Sequence, residues 1–260
     1  PLKTTLALFM KESQLLPKSH TLFHFTKNIE FLKDILVSGF WPRYCLEDSS
    51  WYGGKDFNTA YPMVCFCDIP LSRVGEHVEF YGNFGIGVTR EWANSNGLSP
   101  VLYLNHNTPM HKSLSSLFLG NKSVGGYYPY SNSDVNIVMA HIKPVQGLMR
   151  IGSDVVDKDF YQENEWRAVP NDPDSSEILP WASENQYLDS DFMHEANEKT
   201  KKHKSLKIAP TDIKYIFVNS DSDISNMVKF IQDKLDYYPN ALLNVLLSRI
   251  VSLETIRRDI

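Results

Sequence analysis

Cysteine is scarce, long apolar runs are missing, and positive charge is in deficit. Cys45, Cys65 and Cys67 are the only thiols, and an odd count of three in 260 residues builds no disulfide framework. It reads as a reduced, intracellular chain. No apolar stretch reaches membrane-spanning length, and Pro1-Leu2-Lys3 opens no charged-then-apolar leader, so the expectation is a cytoplasmic protein without a membrane partner. With 26 basic against 31 acidic residues the net charge is −5, which argues against a protein that coats nucleic acid electrostatically. A local basic patch on one enzyme or binding site stays open. No repeat or low-complexity tract is present, which sets aside solenoids and propellers.

What remains is ordinary globular composition, 42% hydrophobic and 22% charged, somewhat rich in Tyr and Phe. Such a chain buries one large core, or one core with a small appended lobe. Thr21-Leu22-Phe23-His24-Phe25 reads as a short buried strand. Asn28 caps a helix with apolar Ile29, Leu32, Ile35 and Leu36, which stops at Gly39. Residues 40–61 read as a long aromatic loop, functional or mobile by its length. Strands are expected at Met63–Cys67, Gly85–Val88, Val101–Leu104, Glu165–Val169 and Ile213–Val218, with an edge strand at Ile250–Leu253. Helices are expected from Leu71 to about Phe80, over 109–119, after Ser222 and over Ala241–Leu247. Residues 120–132 read as loop, 134–142 as helix or strand, 171–186 as a polar insertion, and 199–204 as a basic, solvated segment. Few βαβ units recur, so the fold class is α+β.

Three segments carry polar residues suited to chemistry. In His24-Phe25-Thr26 an imidazole on a buried strand needs partners, and a backbone-satisfied core histidine competes with a ligand-binding one. Cys65-Phe66-Cys67-Asp68-Ile69-Pro70-Leu71-Ser72, followed by His77 and Tyr81, puts both cysteines on one strand face. They lack the further ligands of a metal site, so no metal is expected and they read as small core residues. Tyr81 can stack on a planar ring or simply pack. In Tyr161-Gln162-Glu163-Asn164-Glu165-Trp166-Arg167, a strand that already includes residue 163 turns both glutamates to one side. Such a carboxylate can stabilise an oxocarbenium-like centre. The competing reading is a solvated face with Arg167 paired to a nearby acid.

The order of these segments resembles the His-Tyr-Glu branch of the ADP-ribosyltransferase superfamily, which includes the poly(ADP-ribose) polymerases and, more loosely, the DarT-type nucleic-acid modifiers. More closely, HFT…ILVSGFWPRYCLED, MVCFCDIPLS…H…YGNFGIGVTREWA…PVLYLN and YQENEWRAVP resemble the AbiGi abortive-infection family. These blocks run from residue 22 to about 170. The resemblance implies a single ADP-ribosyltransferase-like domain, a split β-sheet core over about 19–170 with flanking helices, and a helical and strand extension over about 171–260. It implies NAD as the substrate cofactor. His24 would hold the nicotinamide-side ribose, with the Phe25 and Thr26 backbone at the carboxamide. Ser72 would lie near the nicotinamide and Tyr81 would stack on it. Glu165 would bind the ribose 2′-hydroxyl, and Glu163 would orient the acceptor, a nucleic acid (RNA or DNA) or a protein. His77 and Tyr81 both stand where one stacking residue is expected. Two function classes follow: an NAD-dependent mono-ADP-ribosyltransferase of phage defence or a toxin, with plain NAD hydrolysis as a variant, or a non-catalytic antitoxin or regulatory partner of a cognate toxin.

Overall fold

The computed structural model describes residues 20–50, 58–119, 133–151, 154–171 and 177–259. Strands β1 (Thr21–Thr26), β2 (Arg43–Asp48), β3 (Asn58–Cys67), β4 (Phe84–Thr89) and β5 (Ser99–Pro100) occupy the first hundred residues, with helices α1 (Ile29–Ser38), α2 (Val74–Tyr81) and α3 (Arg90–Ser95) between them. Next come β6 (Leu102–Leu104), α4 (Pro109–Leu119), α5 (Ser133–Ala140), β7 (Ile142–Pro144), β8 (Gln146–Ile151), β9 (Asp154–Asp159) and β10 (Glu165–Ala168). The chain continues through β11 (Ala182–Ser183), α6 (Glu184–Leu188), α7 (Ser190–Lys204), β12 (Ile213–Val218), α8 (Asp221–Lys234), α9 (Asn240–Leu247), β13 (Ile250–Ser252) and α10 (Leu253–Asp259). The class is mixed α+β.

The main sheet runs β13-β12-β4-β1-β3-β10-β5, with β2 and β11 paired to the first half of β3. Strand periodicity sorts side chains onto two faces. On one, Leu22, Val64, Phe66, Ile86, Val88, Ala168 and Ile216 meet the apolar sides of α1, α3, α8 and α9. On the other, Phe23, Phe25, Cys67 and Phe217 meet α2 and α10, while Tyr61 and Met63 meet α5, β6 and β7. Cys65 and Cys67 share that second face, as their spacing predicts.

Helix α1 forms as its sequence dictates. The Asn28 side chain accepts from the Glu30 N–H at 2.9 Å, and Leu32, Ile35 and Leu36 are buried. Gly39 (φ 86°) ends it, and Phe40 then pairs with Leu206 through Phe40 N–H···O 3.0 Å and Leu206 N–H···O 2.6 Å. A Cβ at residue 39 would overlap the Leu206 carbonyl. Gly39→Ala is therefore expected to lower stability by about 1–3 kcal/mol, through a strained left-handed φ and a broken bridge; urea unfolding of the variant measures it.

Two expectations, the loop at 40–61 and the core ending near residue 170, are corrected, and two less definite ones are filled in. Residues 40–61 are largely a hairpin, because Arg43–Asp48 pairs antiparallel with Asn58–Met63; Trp51–Phe57 lies outside the described residues, as does the expected loop at 120–132. The ambiguous 134–142 stretch is helix α5 followed by β7. The basic run at 199–204 is the last part of the fifteen-residue helix α7. A core ending near residue 170 is too short: β12 lies between β4 and β13, and Ile216, Phe217, Val218, Met227 and Ile231 are fully buried.

Candidate functional site

Register decides which polar residues can meet. Phe23 of β1 pairs with Cys67 of β3, and Cys67 pairs with Glu165 of β10, so these three stand in one row on one face. His24, one residue along, turns to the other face, where its ring lies 5.3 Å from Phe40 and 5.6 Å from Phe66. Its Nδ1 is 2.8 Å from the Cys65 carbonyl oxygen. Burial, set against that backbone hydrogen bond, pushes its pKa below the usual histidine value. His24 is thus a backbone-satisfied core histidine, separated from Glu165 by the sheet, and the two do not line one cleft.

Glu163 and Glu165 do converge, by a different route from a continuous strand. Asp159 accepts from the Tyr161 N–H and starts a short 3-10 turn, Phe160–Glu163; Asn164 follows with φ 43°, and β10 begins only at Glu165. This left-handed step brings both carboxylates to one ammonium, with Lys143 Nζ 3.1 Å from Glu163 Oε2 and 3.0 Å from Glu165 Oε2. Glu165 Oε1 accepts from Arg167 Nε at 2.8 Å, and Oε2 accepts from Arg167 Nη2 at 3.1 Å. The same guanidinium reaches Glu47 Oε2 at 3.1 Å and donates to the Ala140 carbonyl at 2.6 Å. At the other end, Glu163 Oε1 accepts from the Tyr81 hydroxyl and lies 3.4 Å from Lys158 Nζ. Glu47, Glu163 and Glu165 face Lys143, Lys158 and Arg167, so opposite charges match one for one.

The centre of this chain of charges is closed off from water. Arg167 is 0% exposed, Glu163 4%, Glu165 6% and Lys143 8%. Burial alone would raise the Glu165 carboxyl; Arg167 and Lys143 outweigh it and hold the group well below the usual carboxylate range. Burial likewise works against the charged Lys143, but Glu165, Glu47 and Glu163 raise its pKa well above the ordinary lysine value. Tyr81, largely shielded from water and beside Glu163, is pushed far up and stays protonated as a donor. Every oxygen of Glu165 is engaged, so a ribose hydroxyl would have to displace an existing charge-assisted bond.

Beside the Glu163 end lies an open cleft of about 200 Å³, walled by Ile69, Arg73, His77, Phe80 and Lys158. His77 stacks on Tyr81 at 4.4 Å and 27°, so the two candidate stacking residues occupy each other. Burial, reinforced by Lys158, lowers the His77 pKa to about 3 and keeps its ring neutral. Lys158 Nζ sits 3.5 Å from the Phe80 ring centre. Phe25 is buried against His77 and Phe217, Thr26 is buried at the end of β1, and Ser72 is exposed. Of the residues expected to grip one ligand, the structure gathers Tyr81, Glu163 and Glu165; His24 points elsewhere. Glu47, Lys143 and Lys158 escaped the sequence reading. A lone lysine inside Ile137-Val138-Met139-Ala140-His141-Ile142-Lys143-Pro144-Val145 was the one available signal, since a buried lysine requires a carboxylate.

No helix among the described residues is long and apolar enough to cross a membrane. A family model described as "Putative abortive phage resistance protein AbiGi, antitoxin" matches residues 38–219. A curated relative, the abortive phage resistance protein AbiGi of Lactococcus lactis subsp. cremoris, is 29% identical, with 85% of this chain and 99% of the relative covered. No solved structure matches.

Proposed function

This chain belongs to the AbiGi family of abortive phage resistance proteins, and from that premise we propose that it is the binding, antitoxin-type member of an abortive-infection module, acting on a cognate toxin without turnover of its own. One observation carries this reading. The carboxylate that would do chemistry, Glu165, has both oxygens held by Arg167 and Lys143 inside a charge-balanced, buried cluster. Such a cluster specifies which strands and helices meet, and it presents no free base or nucleophile. The family description, which includes the word antitoxin, supports the same conclusion.

The test pairs two measurements. Co-expression with the protein encoded beside it should relieve that protein's growth inhibition and give a stable complex on size-exclusion chromatography. Incubation with labelled NAD and RNA, DNA or lysate protein should release no nicotinamide and transfer no label. NAD turnover that disappears in Glu163→Gln or Glu165→Gln would sink the proposal.

That outcome would favour a second reading, transfer of ADP-ribose from NAD to a nucleic acid or protein by an ADP-ribosyltransferase-like fold. Its support is that Glu163, hydrogen-bonded by Tyr81, borders the open cleft. In that case the nicotinamide would be gripped from the His77–Tyr81 side, since His24 faces the opposite layer.

A further inference from the structure

Two features of the sequence stand far apart in the chain: the aromatic segment that begins at Trp41, and five lysines between residues 199 and 207. The fold brings them to one surface. Lys201 Nζ lies 5.2 Å from the Trp41 ring centre, and the Arg43 guanidinium lies 4.3 Å from the same ring and 5.5 Å from that of Phe31. Lys201 also reaches Asp34 of α1 at 3.2 Å, and Lys207 donates to the Ser38 carbonyl at 3.1 Å, so α1, the start of β2 and the end of α7 form one continuous face.

We propose that this face, built on Phe31, Trp41, Arg43, Lys201 and Lys207, binds single-stranded nucleic acid. Lysines at the end of a helix are commonly explained by the helix dipole alone. Arg43 is not at a helix end. Its guanidinium is exposed, it is steadied by two aromatic rings, and among the described residues it makes no hydrogen bond or ion pair. Its N–H donors are therefore open to an anion. In a chain of net charge −5, Arg43, Lys201 and Lys207 stand here against the single carboxylate Asp34, a local excess of positive charge.

The aromatic component separates a single strand from other anions. Phe31 is 48% exposed and gives a flat apolar ring beside the guanidinium. An unpaired base can stack on such a ring while its phosphates meet Arg43 and the lysines; a duplex keeps its base faces covered. The inference goes beyond the toxin-binding role and stands or falls separately from it.

Fluorescence anisotropy with a labelled oligoribonucleotide of about 16 nucleotides provides the test. Binding should appear near 50 mM salt and weaken steeply towards about 200 mM, as counterion release requires. Arg43→Gln and Phe31→Ala should each weaken it roughly tenfold, the size of one lost stacking or phosphate contact, with unchanged thermal melting and unchanged toxin relief. Absence of binding at low salt would overturn the proposal. So would parental affinity in both variants, equal affinity for duplex DNA, or tighter binding of a polyglutamate peptide than of RNA.

Discussion

Arg167→Leu is expected to lower the unfolding free energy by about 3–5 kcal/mol, the usual result of removing one partner from a buried ion pair. The guanidinium is fully buried and holds Glu165, Glu47 and the Ala140 carbonyl together. Without it, two carboxylates share a dry space with Lys143 as their nearest cation. The double variant Arg167→Leu, Glu165→Leu leaves Glu47 and Glu163 facing Lys143 and Lys158, two charges against two. It should regain at least about 2 kcal/mol of the single variant's loss, because an apolar pair of similar size often replaces a buried ion pair at little cost. Urea unfolding of both variants measures the difference. A single variant within about 1 kcal/mol of the parent would mean the cluster is hydrated and loosely held. If the cluster serves only architecture, the double variant should behave as the parent does in the co-expression test of the proposed toxin complex.

Mild acid should weaken the fold well before ordinary carboxylates titrate. His77 titrates at about 3 in the folded state against 6.5 when unfolded, mainly because it is buried. A group with a depressed folded pKa adds stability above its unfolded value and gives it up as pH falls towards the folded one. The loss therefore begins near pH 6.5, at about 1.4 kcal/mol per pH unit. His24 is shifted in the same direction by its own burial and adds to the slope. Between pH 7 and pH 5 the stability should fall by about 2–4 kcal/mol. Below about pH 4.5 the Glu165 carboxylate extends the decline, since Arg167 and Lys143 hold its folded pKa down. Urea unfolding at pH 5, 6, 7 and 8 tests this, and His77→Gln should remove about 1.4 kcal/mol per unit from the slope. A parent protein equally stable at pH 5 and pH 7 would show that both imidazoles protonate freely in the native state.

Much of the framework was legible in the sequence. Strand β1, the second half of β3, β12 and helix α1 follow from period and capping, and α8 from its period although Ser220 rather than Ser222 is its cap, because those signals are local. Hairpin β2–β3 was hidden by Pro62 inside a strand and by aromatic and glycine residues that look like loop chemistry. The site was legible only in part. Glu163, Glu165 and Tyr81 were found by residue type, and they do meet. Whether His24 joins them depends on strand register, a non-local quantity: the row Phe23, Cys67, Glu165 fixes its face, and a shift of one residue would have reversed it. The partners of the carboxylates were out of reach for the same reason. Lys143 and Lys158 lie about twenty and five residues before Glu163 on two other strands, and only folding brings them there.

Strand β4 receives one neighbour, β1, from sequence before it and the other, β12, from more than a hundred residues later. During synthesis its outer edge, with Ile86 and Val88 beside it, stays uncovered until β12, ending at Val218, has emerged. At ribosomal speeds that interval is on the order of ten seconds. For that time the nascent chain exposes an unpaired strand edge to its neighbours, so a slow or failed arrival of β12 would leave it open to edge-to-edge aggregation.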